Sequence, residues 1–150
     1  MKHIYNACIT VFLKPEEYVG KEHIIEKYKK VFHKLVPLDF EKEKLVIIEE
    51  RVESFENRTI KILKLDVTKE AQTNVFLKTL NNLLTKEEKK KILDQRQSRL
   101  DEELCFYIRL DKEALLKDVV ELTDSGDCFH IKMHVAAFPK KSEAALKVVE

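Results

Sequence analysis

The sequence predicts an α+β two-layer sandwich, with one mixed or antiparallel sheet and helices on one of its faces. Three observations carry this. Runs rich in Val, Ile, Tyr and Phe alternate with stretches whose apolar residues recur at helical spacing, in the order β-α-β-β-α-α-β-β-β-α. Strands follow one another through turns more often than through helical crossovers, which sets helices and strands in separate layers. Finally, 44% of the 150 residues are apolar, enough for a packed core in a length that fits one domain, where roughly 70% of the unfolded surface is buried.

Ile4 to Leu13 reads as the first strand. Pro15 and Gly20 break the chain ahead of a helix from Lys21 to Val36. There Ile24, Ile25, Tyr28, Val31, Phe32, Leu35 and Val36 share one face, Glu22, Glu26, Lys27, Lys30 and Lys34 occupy the other, and Pro37 ends the helix. Lys44–Phe55 and Arg58–Val67 form two further strands, with Glu56-Asn57 as a tight hairpin turn. In the second of them Ile60 and Ile62 share one side while Leu63, Leu65 and Val67 share the other. A bulge near Ile62 and Leu63 would repair that slip of phase. Lys69–Leu84 is a helix that turns Phe76, Leu77, Leu80, Leu83 and Leu84 inward. Thr85 with Glu88 makes a capping box for a third helix, Lys86 to about Leu100. Its thin apolar stripe, Ile92, Leu93 and Leu100, leaves it mostly exposed. The strand Leu104–Leu110 follows, then a helical turn around Glu113–Lys117. Strands Val119–Leu122 and Cys128–Ala136 are joined by the turn Thr123–Asp127, and a last helix spans Pro139–Val149.

Composition excludes more than it suggests. Charged residues are 37% of the chain, 28 basic against 27 acidic, for a net charge of +1. A strongly basic chain would point to phosphate binding; this one does not by its total charge. Cys8, Cys105 and Cys128 each lie in an apolar run and form no CxxC, which predicts reduced, buried thiols and a cytoplasmic location. No 18-residue apolar run and no secretory leader are present, so no membrane association is expected. Only Gly20 and Gly126 occur, so a glycine-rich phosphate cradle cannot be built, and no HExxH or GxSxG is found. His130 and His134 stand on one side of a strand with Lys132 between them, roughly 13 Å apart at ~3.3 Å per residue, too far to share a metal. Acidic neighbours such as Glu49-Glu50 are what chance gives among 27 carboxylates. These readings predict no metal, no cofactor and no enzyme.

The most distinctive segment is Ser98–Lys112, in which Arg99-Leu100-Asp101 and Arg109-Leu110-Asp111-Lys112 flank the apolar run Leu104–Ile108. Charged groups are costly to bury unpaired, so two readings stand. Asp101 and Asp111 can form an ion-pair network with Arg99 and Arg109 that holds the connections. Alternatively Arg99, Arg109 and Lys112 offer donors to phosphate, with Tyr107 available for stacking. Residue chemistry alone favours the network. Lys89 and Arg96 on the third helix and Arg58 on the hairpin are secondary candidates for phosphate, since helix lysine runs are usually solvated faces. A protein-interaction or homodimerisation module, using an open sheet face, is the alternative to a nucleic-acid binder.

From Leu93-Asp94 through Arg99-Leu100-Asp101-Glu102 to Phe106-Tyr107-Ile108-Arg109-Leu110-Asp111-Lys112, the chain resembles an archaeal family of small proteins known as predicted RNA-binding proteins or predicted exosome subunits. The shared pattern is R-x-D, a strand, then R-x-D-K, and every charged position of it is kept. The resemblance implies a fold like that of the large-subunit ribosomal protein that binds 5S ribosomal RNA. It also implies RNA as partner, and a role accessory to RNA processing or exosome-type degradation beside exosome or ribosome-related proteins. Two positions depart from the family. Its hairpin turn G-H-x-G-N-P-I is replaced over Glu53–Ile60, where Asn57 and Ile60 remain but both glycines and the proline are gone. Its His-Ala-Thr-Glu segment after the first strand is Leu13-Lys14-Pro15-Glu16 here.

Overall fold

A computed structural model describes residues 4–53 and 58–135. Its elements are β1 (Ile4–Leu13), α1 (Pro15–Tyr18), α2 (Glu22–Leu35), α3 (Phe40–Glu43), β2 (Ile48–Glu53), β3 (Thr59–Val67), α4 (Glu70–Leu83), α5 (Lys86–Asp94), α6 (Arg96–Arg99), β4 (Cys105–Asp111), α7 (Lys112–Leu116) and β5 (Cys128–Val135). The strands form a five-stranded sheet in the order β2-β3-β1-β5-β4, and every neighbouring pair is antiparallel. The fold is therefore the expected α+β sandwich, with the antiparallel form of the sheet realised throughout.

Strand alternation sorts the side chains into two faces. Ile9, Val11 and Leu13 of β1 lie opposite Leu65, Leu63 and Lys61 of β3, and Ile9 and Val11 opposite Ile131 and Phe129 of β5. This is the core face. α2 packs on it through Tyr28 and Phe32, whose rings lie 5.9 and 5.5 Å from that of Phe129. Phe76 and Leu80 of α4 are buried in the same apolar cluster. α5 and α6 instead flank the β4 edge, where Glu88 accepts a hydrogen bond from the Leu122 amide and Leu100 bridges to Phe106.

Several boundaries differ from expectation for identifiable reasons. The strand expected from Lys44 begins at Ile48, because Asp39 caps the helical turn α3 and Lys44 closes it in the left-handed region at φ 57°. The helix expected over Lys86–Leu100 breaks at Gln95 into α5 and α6. Val119–Leu122 makes no full strand. It contributes a bridge from Leu122 to Leu110, with backbone bonds from Asp111 to Glu121 and from Thr123 to Arg109. No bulge lies at Ile62 and Leu63, because β3 keeps register with β1 across both residues. The phase slip arises because β3 is apolar on both sides: Leu63, Leu65 and Val67 face the core, while Ile62 lies opposite Phe12 on the other face. The irregularity sits in β1, between Ile4 and Asn6. The Glu56-Asn57 turn, Ala136 and the Pro139–Val149 helix fall outside the described residues. All three cysteines are free thiols; Cys105 and Cys128 are buried and Cys8 is half-buried. No helix among the described residues is long and apolar enough to cross a membrane.

Candidate nucleic-acid interface

The sheet face opposite α2 and α4 gathers aromatic rings and cations in rows set by the register. One row runs Tyr107, Lys132, Cys8, Asp66 from β4 to β3, and the next runs Arg109, His130, Thr10, Lys64. The β1 irregularity leaves Tyr5 and Asn6 both exposed, and Tyr5 packs against His134 with ring centroids 5.1 Å apart and planes tilted by 58°. Phe12 meets His130 edge-on at 5.9 Å. Tyr5, Phe12 and Tyr107 are 37%, 41% and 38% exposed, unusual for large rings in a strand. The Lys132 ammonium stands 5.9 Å from the centre of the Tyr107 ring, and neither Lys132 nor Lys64 has a carboxylate partner among the described residues. Aromatic faces beside unpaired cations can stack bases and neutralise phosphates at once.

Tyr107 is held from below. Its hydroxyl donates to Asp101 Oδ2 at 2.8 Å, and Asp101 also accepts from the Cys105 and Glu103 amides at 2.9 and 3.0 Å. Those bonds, the Cys105 amide first and the Tyr107 hydroxyl second, pull the Asp101 carboxyl below its usual range. The same carboxylate pushes the Tyr107 hydroxyl up to about 12, with burial adding to it. Leu104, in the left-handed region at φ 62°, closes this turn, a strain of roughly 1–2 kcal/mol for a non-glycine residue. The ring therefore reaches the open face already oriented.

The expected ion-pair network between the two RLD segments is not formed. Asp101 is spent on the turn and on Tyr107, while Asp111 caps α7 by accepting from the Ala114 amide at 3.0 Å. Backbone amides two to four residues away reach these carboxylates before any guanidinium does. Arg99 donates to the Tyr107 carbonyl and to Gln95 Oε1, and Arg109 to the Asp124 carbonyl. Burial lowers the Arg99 pKa, with Asp124 opposing and the neighbouring Arg109 adding to the fall, although a guanidinium keeps its proton throughout. Arg99 Nε is buried without a hydrogen-bond partner among the described residues. The structure thus brings Arg99 and Arg109 together at the β4 edge of the open face. Arg96 lies three residues back on α6 and donates to the Leu93 carbonyl, and Lys89 is half-buried on α5.

Two residues are placed elsewhere. Lys112 is 2% exposed, and its ammonium is held by Asp127, Glu17 and the Phe12 carbonyl at 2.5, 2.7 and 3.0 Å. It ties β1 to the β5 entry and has no surface to offer a phosphate. Arg58 pairs with Glu16 at the β3 end, three strands away from β4. Sequence reasoning missed Tyr5 and Phe12. Phe12 could have been found from the β1 alternation, whereas Tyr5 is exposed only because of the irregularity beside it. Among the described residues no cluster of His, Cys, Asp and Glu could hold a metal ion.

The described residues thus form an antiparallel α+β sandwich with one sheet face that carries half-exposed rings and cations. A family model described as RNA binding matches residues 18–135, and the chain belongs to that family. It is 30% identical over 146 residues to RNA-binding protein PAB1135 of Pyrococcus abyssi, covering 97% of this chain and 90% of that protein. Solved structures share the fold. Protein AF2318 from Archaeoglobus fulgidus superposes with a TM-score of 0.80 at 23% identity, covering 96% of this chain and 95% of that one. The structure of Mth689 from Methanothermobacter thermautotrophicus gives 0.73 at 22% identity, covering 99% and 100%. A protein from Sulfolobus solfataricus, SSO0741, gives 0.69 at 19%, covering 96% of each chain.

Proposed function

We propose that this chain is a non-enzymatic RNA-binding protein that receives unpaired nucleotides on the open sheet face. The observation that carries the reading is the juxtaposition of half-exposed Tyr5, Phe12 and Tyr107 with Lys64, Lys132 and Arg109 on one side of the sheet. Unstacked bases lie on the rings, and the cations meet the phosphates between them. Arg99, beside Arg109, extends the cationic edge, with Arg96 and Lys89 further out. Duplex RNA, whose bases are already stacked, gains nothing from the rings. The family supports RNA as the partner. The finer role, as an accessory to RNA processing or exosome-type degradation, rests on the family resemblance, as do partners from the exosome or ribosome, whereas the cytoplasmic location rests on the reduced cysteines and the single domain on the chain length.

The test is titration of single-stranded and duplex oligoribonucleotides across salt. Four phosphate contacts at about −0.7 each set a log–log slope near −3, so affinity for a single strand falls about 50-fold between 50 and 200 mM salt. Tyr107→Ala and Lys132→Glu each weaken it. Undetectable binding at low salt, or equal affinity for duplex, defeats the proposal. A second reading, a homodimer or protein-interaction module, is favoured by Ile48 and Val52, exposed on the β2 edge of the same face. It requires association at high concentration by light scattering, or loss of a bound protein on Val52→Glu.

A further inference from the structure

On the helix-bearing side, at the opposite edge of the sheet from Arg109, α1 and the β2 and β3 strands surround an open hollow of about 480 Å³. Its wall is cationic. Arg51 of β2 lies directly opposite Lys61 of β3, and Arg58 enters from the start of β3. Pro15, Tyr18 and Val19 supply the remaining wall. Lys61 is held in place: its ammonium is 3.2 Å from Glu49 and 4.9 Å from the centre of the Tyr18 ring. The Tyr18 hydroxyl donates to the Thr59 carbonyl at 2.7 Å, which locks that ring against β3. Arg58 pairs with Glu16, whose carboxyl it holds below the usual range. Glu49 is shared with Lys29 at 3.8 Å. Among the described residues, Glu16 and Glu49 are the carboxylates paired with Arg58 and Lys61, Glu49 is shared with Lys29, and Arg51 has no partner.

We propose that this hollow is an anion site for a phosphate group, with Arg51 as its free donor and the Lys61–Tyr18 pair as its rigid wall. Guanidinium is the side chain suited to fork onto phosphate oxygens. An exposed Arg on an edge strand beside a wall of like charge gains from a phosphate anion, and more from the nearly doubly charged terminal phosphate than from a singly charged backbone phosphodiester. The site is separate from the open face, and the phosphate comes either from the terminus of an RNA chain or from its backbone passing the β2 edge.

The test uses the full chain, its Arg51→Glu variant and a Lys132→Glu variant. The probes are one single-stranded oligoribonucleotide with a 5′-phosphate, the same oligonucleotide with a 5′-hydroxyl, and adenosine 5′-monophosphate. Arg51→Glu is expected to weaken the 5′-phosphorylated oligonucleotide at least fivefold at low salt. If the 5′-hydroxyl oligonucleotide is unaffected and the mononucleotide also weakens, the source is a terminal phosphate. If both oligonucleotides weaken alike, it is the backbone. Unchanged affinity within twofold for all three probes overturns the site, as does the absence of binding by any of them to the unaltered chain. Lys132→Glu separates the two readings. Loss there with no effect at Arg51 leaves the open face standing and removes the hollow, whereas loss at Arg51 alone does the reverse. Arg51 is exposed and has no partner among the described residues, so the variant is expected to fold, and circular dichroism with the neutral Arg51→Gln checks this.

Discussion

Replacing Lys112 by Met separates a clasp inside the fold from a contact with RNA. The ammonium is almost fully buried and has three partners, two of them carboxylates. Removing one partner of a buried ion pair costs about 3–5 kcal/mol, because the charges left behind lose their compensation. Here the abandoned side chains are those of Asp127, 46% exposed, and Glu17, 23% exposed. Water reaches both, which places the cost near the lower end, about 3 kcal/mol. At about 2–4 °C per kcal/mol for a domain of this size, the midpoint of thermal unfolding falls by about 6–12 °C. Calorimetry on the variant measures that fall, and RNA titration well below the new midpoint measures the second half of the prediction: affinity within twofold of the unaltered chain and the same salt slope. A midpoint shifted by less than about 2 °C refutes the clasp. A salt slope shallower by about 0.7 in the folded variant shows that Lys112 meets a phosphate, and the burial argument then fails.

The Tyr107 hydroxyl, raised by Asp101 to about 12, ionises late; because its folded pKa lies above the ordinary tyrosine value, the stabilisation from this bond is complete below about pH 10 and is lost as pH rises through 12. The difference in absorbance near 295 nm between the unaltered chain and Tyr107→Phe reports the midpoint, and a midpoint near 10 would contradict the bond. Asp101 acts in the opposite direction: its lowered pKa gives stability that is present above about pH 4 and lost as pH falls through the folded value. Phe129→Ala empties a site between Tyr28 and Phe32 and is expected to cost about 3–5 kcal/mol in urea unfolding. Phe12→Ala, on the open face, should change stability by less than about 0.5 kcal/mol while weakening RNA binding; equal destabilisation by the two would mean that the face assignment is wrong.

Much of the architecture could be read from residue patterns because the signals are local. The Val31, Phe32 and Leu35 stripe is a helix face wherever it lies, and the Thr85–Glu88 capping box forms as expected, with the Glu88 amide donating to Thr85 Oγ1 at 3.2 Å. What misled was two-sidedness. Ile60 and Ile62 looked like a register fault, but two apolar side chains on the open face need no fault to explain them. The charged signature was harder still. Arg, Asp and Lys at fixed spacing say nothing about which neighbour each will reach: here Asp101 and Asp111 take backbone amides, Asp101 also the Tyr107 hydroxyl, Arg99 and Arg109 reach carbonyls, Arg99 also Gln95, and Lys112 reaches distant carboxylates.

By itself the sequence determined the long helices and the five sheet strands, the α+β class and most apolar residues of the core, since 3.6- and 2-residue periodicities and turn chemistry act over a few positions. It also marked Ser98–Lys112 as unusual. The tertiary structure alone decided what that segment does. Sheet order put β4 at an edge, so Arg99 and Arg109 converge on exposed surface. The turn at Leu104 consumed Asp101 and aimed Tyr107 outward. Lys112, one residue past the strand, was carried inside against Glu17 and Asp127. The burial of Lys112 depends on contacts between residues 15 to 100 positions apart, which no local pattern encodes.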